Sequence, residues 1–308
     1  MTSVTPGFHP VRAAAHRQKL LSGNAMAVGS MLFWAAGFPA AEILLDSWHP
    51  ISLMVLRLTM ALSVLVPLWI YVDGLHKVMN ARWGKGIWIG MLGFGTGANL
   101  LLFAQWFTDP VTVALIVTTT PISATLIEVL GRQRRLTRRF VVGLAASVLG
   151  GAIAVGGRVS PDLGWGLLMA IASGICFAWA SNAAVRDFPS LSPVGRSTIT
   201  FCGAAVFTGL VFTVMWAVGM AEMPRQITSQ QIGLLAIYAV AAMALSQILF
   251  IASVGRLGIA LSSFHINIAP FYVMVILIAL GGAWDWRAGL GAAVVGLGVP
   301  ISQHRSGG

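Results

Sequence analysis

Ten stretches of this chain are each long and apolar enough to cross a lipid bilayer, and no other feature narrows the possible folds as much. They are 24–45, 50–72, 83–107, 110–131, 139–157, 163–185, 195–220, 231–254, 257–281 and 286–303. A span needs about 20 mostly apolar residues. In hydrocarbon the backbone must satisfy its own N–H and C=O groups, so such runs become helices. Of the 308 residues, 57% are apolar or aromatic and only 9% are charged, against about 25% charged in a soluble domain. Mean hydropathy is +0.85. The loops are too short for a soluble domain between spans. The expected fold is an all-α polytopic membrane protein with ten transmembrane helices.

Lysine and arginine set the direction of threading. With the N-terminus inside, 15 of the 19 basic residues fall on the cytoplasmic side, 3 fall outside, and Arg57 lies within a span. The run "GRQRRLTRR" at 131–139 is the densest cluster. This bias predicts cytoplasmic N- and C-termini. Residues 1–23 carry Arg12, Arg17 and Lys19 without an apolar core run, so they read as a cytoplasmic tail rather than a signal peptide. Residues 304–308 read as a second tail. The net charge of +10 is explained by contact with anionic headgroups, with no nucleic-acid partner. Cys176 and Cys202 lie in separate apolar runs and read as lone buried thiols.

The chain also repeats itself. "SMLFWAAGFPAAE" from Ser30 aligns with "GICFAWASNAAVR" from Gly174. "TTTPISATLIEVL" from Thr118 aligns with "NIAPFYVMVILIA" from Asn267, proline on proline. "RFVVGLAASVLGGA" from Arg139 aligns with "RAGLGAAVVGLGVP" from Arg287. The offset stays between 144 and 149 residues. The reading is two five-helix repeats, 24–157 and 158–303. Five is odd, so the second repeat starts from the opposite face: an inverted repeat, with a site expected at the midplane between bundles that tilt alternately.

Ten spans in a five-plus-five repeat, "FWAAGFPAAE" in the first, "VLRLTMA" in the second and "TTTPISATLIEVLG" in the fourth resemble the EamA branch of the drug/metabolite transporter superfamily. Within it the chain looks most like the YddG-type aromatic amino-acid exporters. The resemblance covers about 24–303 and implies a transporter in a bacterial inner membrane. One departure is visible. Family members often carry a glutamate in an "LGE" context at the inner end of the fourth span, whereas here "LGRQRR" follows and the nearest acid is Glu128.

The ninth span holds the most costly polar groups. His265 and Asn267 lie about 12 and 15 Å into it at helical rise, where polar side chains should face a bundle interior or a wet cavity. Tyr272 shares the His265 face. Pro270 breaks a backbone bond there, and Pro121 holds the equivalent place in the fourth span. Each is compatible with a plain kink or with a hinge. Asn99 and Gln247 are repeat equivalents, suited either to interhelical bonds or to ligand contact. Trp34 and Phe38 in the first span, and Trp179 and Asn182 in the sixth, complete the expected cavity lining, with packing as their alternative role. Arg57 reads as bonding neighbouring carbonyls or snorkelling, with carboxylate binding as the alternative, and Glu42, Asp46 and Asp109 are near enough in sequence depth to pair with it.

All nine acidic residues fall at span ends or in loops. A proton-coupled exporter of cationic drugs would want a buried carboxylate. No phosphate-binding loop is present, and no nucleophile–base or metal constellation is recognisable, so neither enzyme activity, a metal nor a cofactor is expected. The expected function is export of amino acids, aromatic or large and apolar, by alternating access without an obligatory ion gradient. Export of other metabolites or drugs is the alternative. The expected partners are that small solute and membrane lipid, and the expected state is a monomer, with a dimer as the alternative.

Overall fold

The computed structural model describes residues 10–108, 117–133 and 163–281 without a break, and shorter stretches within 113–149 and 286–294. Among the described residues, seven helices are long and apolar enough to cross a membrane. They are α1 (Pro10–Leu45), α2 (Pro50–Asp73), α3 (Trp83–Phe107), α5 (Leu163–Asp187), α6 (Pro193–Ala217), α7 (Ser229–Leu257) and α8 (Ile259–Ala279). A shorter apolar helix, α4 (Val117–Leu130), stands where the fourth span is expected. The expected fifth and tenth spans lie for the most part outside the described residues. The chain is a multi-pass membrane protein.

The first boundary differs from expectation, and the start of the second helix, at Pro50, agrees with it. Helix α1 begins at Pro10, well ahead of residue 24. Proline suits a first helical turn and the following "VRAAAHRQKLL" is rich in strong helix formers; hydropathy marks where the membrane starts, not where the helix does. Helix α2 opens at His49, whose Nδ1 accepts the Ile51 N–H at 3.3 Å, followed by Pro50 in the first turn. Partial burial lowers the His49 pKa, which favours the accepting form of that nitrogen.

Breaks in regular helix recur at the repeat spacing. Helix α3 contains a π segment, Gly90–Gly95, and α7 contains another, Ile237–Leu245, opening 147 residues later. A 3₁₀ turn, Val117–Thr119, stands just ahead of Pro121, and another, Phe264–Ile268, just ahead of Pro270. In both cases the proline falls in the first turn of the helix that follows, where its missing N–H removes no intrahelical bond.

The packing follows an exchange rule. Helix α1 packs on α7, and α5 on α3; α2 packs on the π segment of α7, and α6 on that of α3; α1 packs on α8, and α5 on α4; α2 meets α6, and α4 meets α8. Swapping α1–α4 for α5–α8 maps this set onto itself. The equivalent helices α2 and α6 run antiparallel, pinned at both ends. Asp73, the last residue of α2, accepts from the Ser192 N–H at 3.1 Å and the Ser192 hydroxyl at 3.0 Å at the start of α6. Ser52, in the first turn of α2, donates to the Glu222 carbonyl beyond the end of α6 at 2.8 Å. Helices α4 and α8 are opposed too: Glu128 near the end of α4 accepts the Ala260 N–H at 3.0 Å at the start of α8. That N–H is uncovered because Gly258, at φ +84°, ends α7 and opens α8 in one residue.

Helices α3 and α6 cross at backbone contact. A Cβ at Gly90 would overlap the Thr200 carbonyl, and one at Gly203 would overlap the Ile87 backbone. Large apolar side chains cover the outside, and Trp106, Trp165 and Trp216 stand exposed near the ends of α3, α5 and α6, where tryptophan meets the headgroup layer.

Candidate functional site

A cavity of about 80 Å³ lies between the two sets of helices, lined from α1 to α8. Its lining residues stand near the middles of their helices: Ser30 and Trp34 on α1, Gly97 on α3, Ser173 and Phe177 on α5, Gln247 on α7. Mid-helix placement in a spanning bundle is mid-membrane placement.

The apolar wall is aromatic. Phe94 meets Phe177 edge-on at 5.6 Å and Phe201 at 5.7 Å, and Phe177 meets Phe250 at 5.1 Å. All four rings line the cavity. Edge-to-face packing of this kind favours ring positions that hold without a ligand. Trp34 joins them and is itself braced by Phe38, ring centroids 5.0 Å apart and nearly perpendicular.

The polar groups are few and unequal. Ser30 donates to the Ser246 carbonyl at 2.8 Å, with the two hydroxyls 3.2 Å apart, tying α1 to the end of the α7 π segment. Gln247 is buried, lines the cavity, and its Nε2 has no hydrogen-bond partner. Arg57, also buried, is the charged side chain of the lining among the described residues. Its Nε donates to the Tyr238 carbonyl at 3.0 Å, and its guanidinium carbon sits 3.6 Å from the Tyr238 ring centroid. Among the described residues no ion pair includes it.

The expected site residues therefore separate. Trp34 and Gln247 face the cavity. Phe38 is buried directly behind Trp34, held where Gln105 Nε2 donates to its carbonyl at 2.8 Å. Asn99 is buried away from the cavity and spends its amide nitrogen on the Gly95 carbonyl at 2.8 Å and the Thr208 hydroxyl at 2.7 Å. Trp179 is half-buried against the core around α2 and α6, and Asn182 is buried one turn on, neither in the lining. His265 and Asn267 are buried in the 3₁₀ turn of α8, whose neighbour Ile266 reaches the lining. His265 Nδ1 and both Asn267 amide atoms lack partners. Tyr272 is half-buried beside Phe271. Pro121 and Pro270 mark the restart of helix after each 3₁₀ turn.

Sequence reasoning missed the phenylalanine wall, since nothing distinguishes Phe94, Phe177, Phe201 and Phe250 from lipid-facing phenylalanines along a single helix. Arg57 carried a signal, a charge inside a span, but its partners are distant in sequence. The described residues contain no group of three or more metal-ligating side chains.

Residues 21–156 match the EamA-like transporter family. Over 284 residues the chain is 22% identical to "Uncharacterized transporter YyaM" of Bacillus subtilis (strain 168), spanning 89% of this chain and 91% of that protein. A solved crystal structure superposes with a TM-score of 0.73 at 16% identity, over 92% of this chain and 96% of that one, which shows a common fold.

Proposed function

We propose that this chain, whose first half matches the EamA-like transporters, is an exporter of amino acids with aromatic or large apolar side chains, working by alternating access. The family match and the transporter name of its relative support small-molecule transport rather than catalysis. The observation that carries the reading is the mid-membrane cavity walled by phenylalanines, with an unpartnered amide nitrogen on Gln247. Rings stack an apolar side chain, and the few polar groups orient its head.

The transport cycle is built on two inverted five-helix repeats. The exchange rule in the packing and the antiparallel course of α2 and α6 support it. Rocking one repeat against the other would break contacts on one face and form their equivalents on the other. The interlock of Asp73 with Ser192, together with Lys85 paired to Asp187 at 3.1 Å, gathers at the ends that the charge pattern assigns to the cytoplasm. We place the protein in a bacterial inner membrane with both termini inside.

The test is counterflow in liposomes holding the purified protein. Preloaded phenylalanine or tryptophan should drive uptake of the labelled amino acid with no imposed pH gradient. Strict dependence on a gradient would remove the facilitator mechanism, and failure of every amino acid tried would remove the cargo.

A further inference from the structure

We infer that Arg57 receives a carboxylate of the cargo, so that the cavity selects solutes by a negative charge joined to an apolar body, whether or not they carry an amino group. The inference rests on the cavity being the transport site and narrows what that site accepts.

Arg57 lies within α2, buried, with the cavity in front of it. A guanidinium stays protonated under any ordinary condition. In a low-dielectric interior such a charge is costly unless an opposite charge meets it. Its fixed partners are both neutral, the Tyr238 carbonyl and the Tyr238 ring. They hold the plane of the group in one pose, and its terminal nitrogens make no hydrogen bond among the described residues. Among the described residues no acid stands in the cavity lining. The missing counter-charge is therefore supplied by what enters. A carboxylate fits the free fork of the guanidinium with two parallel bonds.

The rest of the cavity fits the rest of such a solute. Phe94, Phe177 and Phe201 supply the wall for an apolar body. Gln247 stands nine residues past Tyr238 on α7, at most about 13 Å along the axis. Gln247 lines the same cavity and its unpartnered amide nitrogen offers a further donor to the solute. Among the described residues an ammonium group finds hydroxyls, carbonyls and ring faces in this lining but no acid, so it adds less selectivity than the carboxylate.

Three ligands of one skeleton test this: 3-phenylpropanoate, L-phenylalanine and 2-phenylethylamine, the first lacking the amine and the last lacking the carboxylate. Binding is read by calorimetry on purified protein, and transport by competition in liposome counterflow. Both carboxylates should bind, and 2-phenylethylamine should bind at least about tenfold more weakly, as expected for loss of a charge-assisted pair. R57Q should weaken both carboxylates by about 10- to 100-fold and level the three ligands. R57K should keep the preference with weaker binding, a point charge replacing a fork. The inference is overturned if the amine binds the unaltered protein as well as the acids, or if monodisperse R57Q keeps its carboxylate affinity. Should R57Q not fold, R57K decides: loss of the carboxylate preference there overturns the inference. Carboxylate binding that depends on Arg57 without counterflow would sink the transport reading and leave this site standing. Counterflow indifferent to the carboxylate would do the reverse, and no binding of any of the three would sink both.

Discussion

Helix α2 against the π segment of α7, and α6 against the π segment of α3, occupy equivalent places under the exchange of halves. Their chemistry differs. At the α3–α6 crossing Gly90 and Gly203 bring backbones into contact, Phe94 and Phe201 meet edge-on, and Asn99 closes on Thr208. At the α2–α7 crossing the positions 147 residues away are Leu56, half-buried, and Ile237, exposed, and Arg57 lies over the Tyr238 ring. Gln247, the equivalent of Asn99, is left with a bare amide nitrogen. Packing that maps onto itself under this exchange thus supplies two junctions, one closed by backbone contact and one holding a buried charge. The lesson is that symmetry in the backbone fixes where a site lies, and departures from symmetry in the side chains fix what it takes.

The strongest way to break this comparison is to crowd the closed junction. Gly203→Val puts a branched side chain where a single Cβ already overlaps the Ile87 backbone. Backbone cannot yield as a flexible side chain does, so a loss of about 3 kcal/mol or more is expected, at the upper end of overpacking effects. Size-exclusion profile and thermal unfolding would show it. Leu56→Val at the equivalent place on α2 should cost about 1 kcal/mol or less. Equal tolerance at both places would mean that the junctions are not differentiated by packing.

Sequence alone reached the two junctions unequally. The membrane imposes a length and a charge rule that any span must obey, so seven of the expected spans are recognisable in the described helices. The like settings of Pro121 and Pro270, each opening a helix after a 3₁₀ turn, were legible because a missing backbone donor is written in the residue itself. The π segments left no such mark: Gly90–Gly95 has three glycines, and Ile237–Leu245 has none. Asn99 and Gln247 look alike until Thr208 reaches one and not the other, a matter of which helix crosses where. The partner of Arg57 is 181 residues away in sequence, and that of Glu128 is 132 away. Local pattern gives depth in the membrane; only packing gives the direction a side chain faces.

A second comparison sets the two ends of the α2–α6 pair against each other. At one end Asp73 holds Ser192 twice and accepts from Trp69 Nε1 at 3.0 Å; at the other Ser52 makes one bond to Glu222. Asp73→Ala should cost about 2 kcal/mol, since bonds to a charged acceptor are lost and Ser192 is left to water. Ser52→Ala should cost about 1 kcal/mol, the ordinary value for one neutral bond. If the Asp73 end is the closed gate of this conformation, Asp73→Ala should also raise cysteine-reagent access to the cavity from the cytoplasmic side, read by labelling of an introduced cysteine at Ser246. Unchanged labelling would leave Asp73 a structural clamp only.

Asn99→Leu and Gln247→Leu sharpen the first comparison at a single pair of residues. The former strands the Thr208 hydroxyl and should lower stability by about 1–2 kcal/mol. The latter breaks no bond made by Nε2, so thermal unfolding should move little while counterflow slows. The opposite outcome, an unstable Gln247→Leu with normal transport, would make Gln247 the structural member of the pair.

The smallest effect is expected in the 3₁₀ turns, and its sign is the point. Thr118 stands three residues ahead of Pro121 and is partnered. Asn267 stands three residues ahead of Pro270, buried, with neither amide atom bonded. A buried amide without partners opposes folding, and replacing it by an apolar group of similar shape relieves that cost. Asn267→Leu should therefore raise stability, by about 1 kcal/mol, and the midpoint of thermal unfolding with it. If counterflow is unchanged, the amide is idle in every state of the cycle. If counterflow slows while the midpoint rises, the amide finds its partners in the alternate conformation, and its strain here biases the protein toward rocking. A fall in stability would show that Asn267 is already satisfied by water, and the turn of α8 would then be a wet extension of the cavity rather than a dry, strained one.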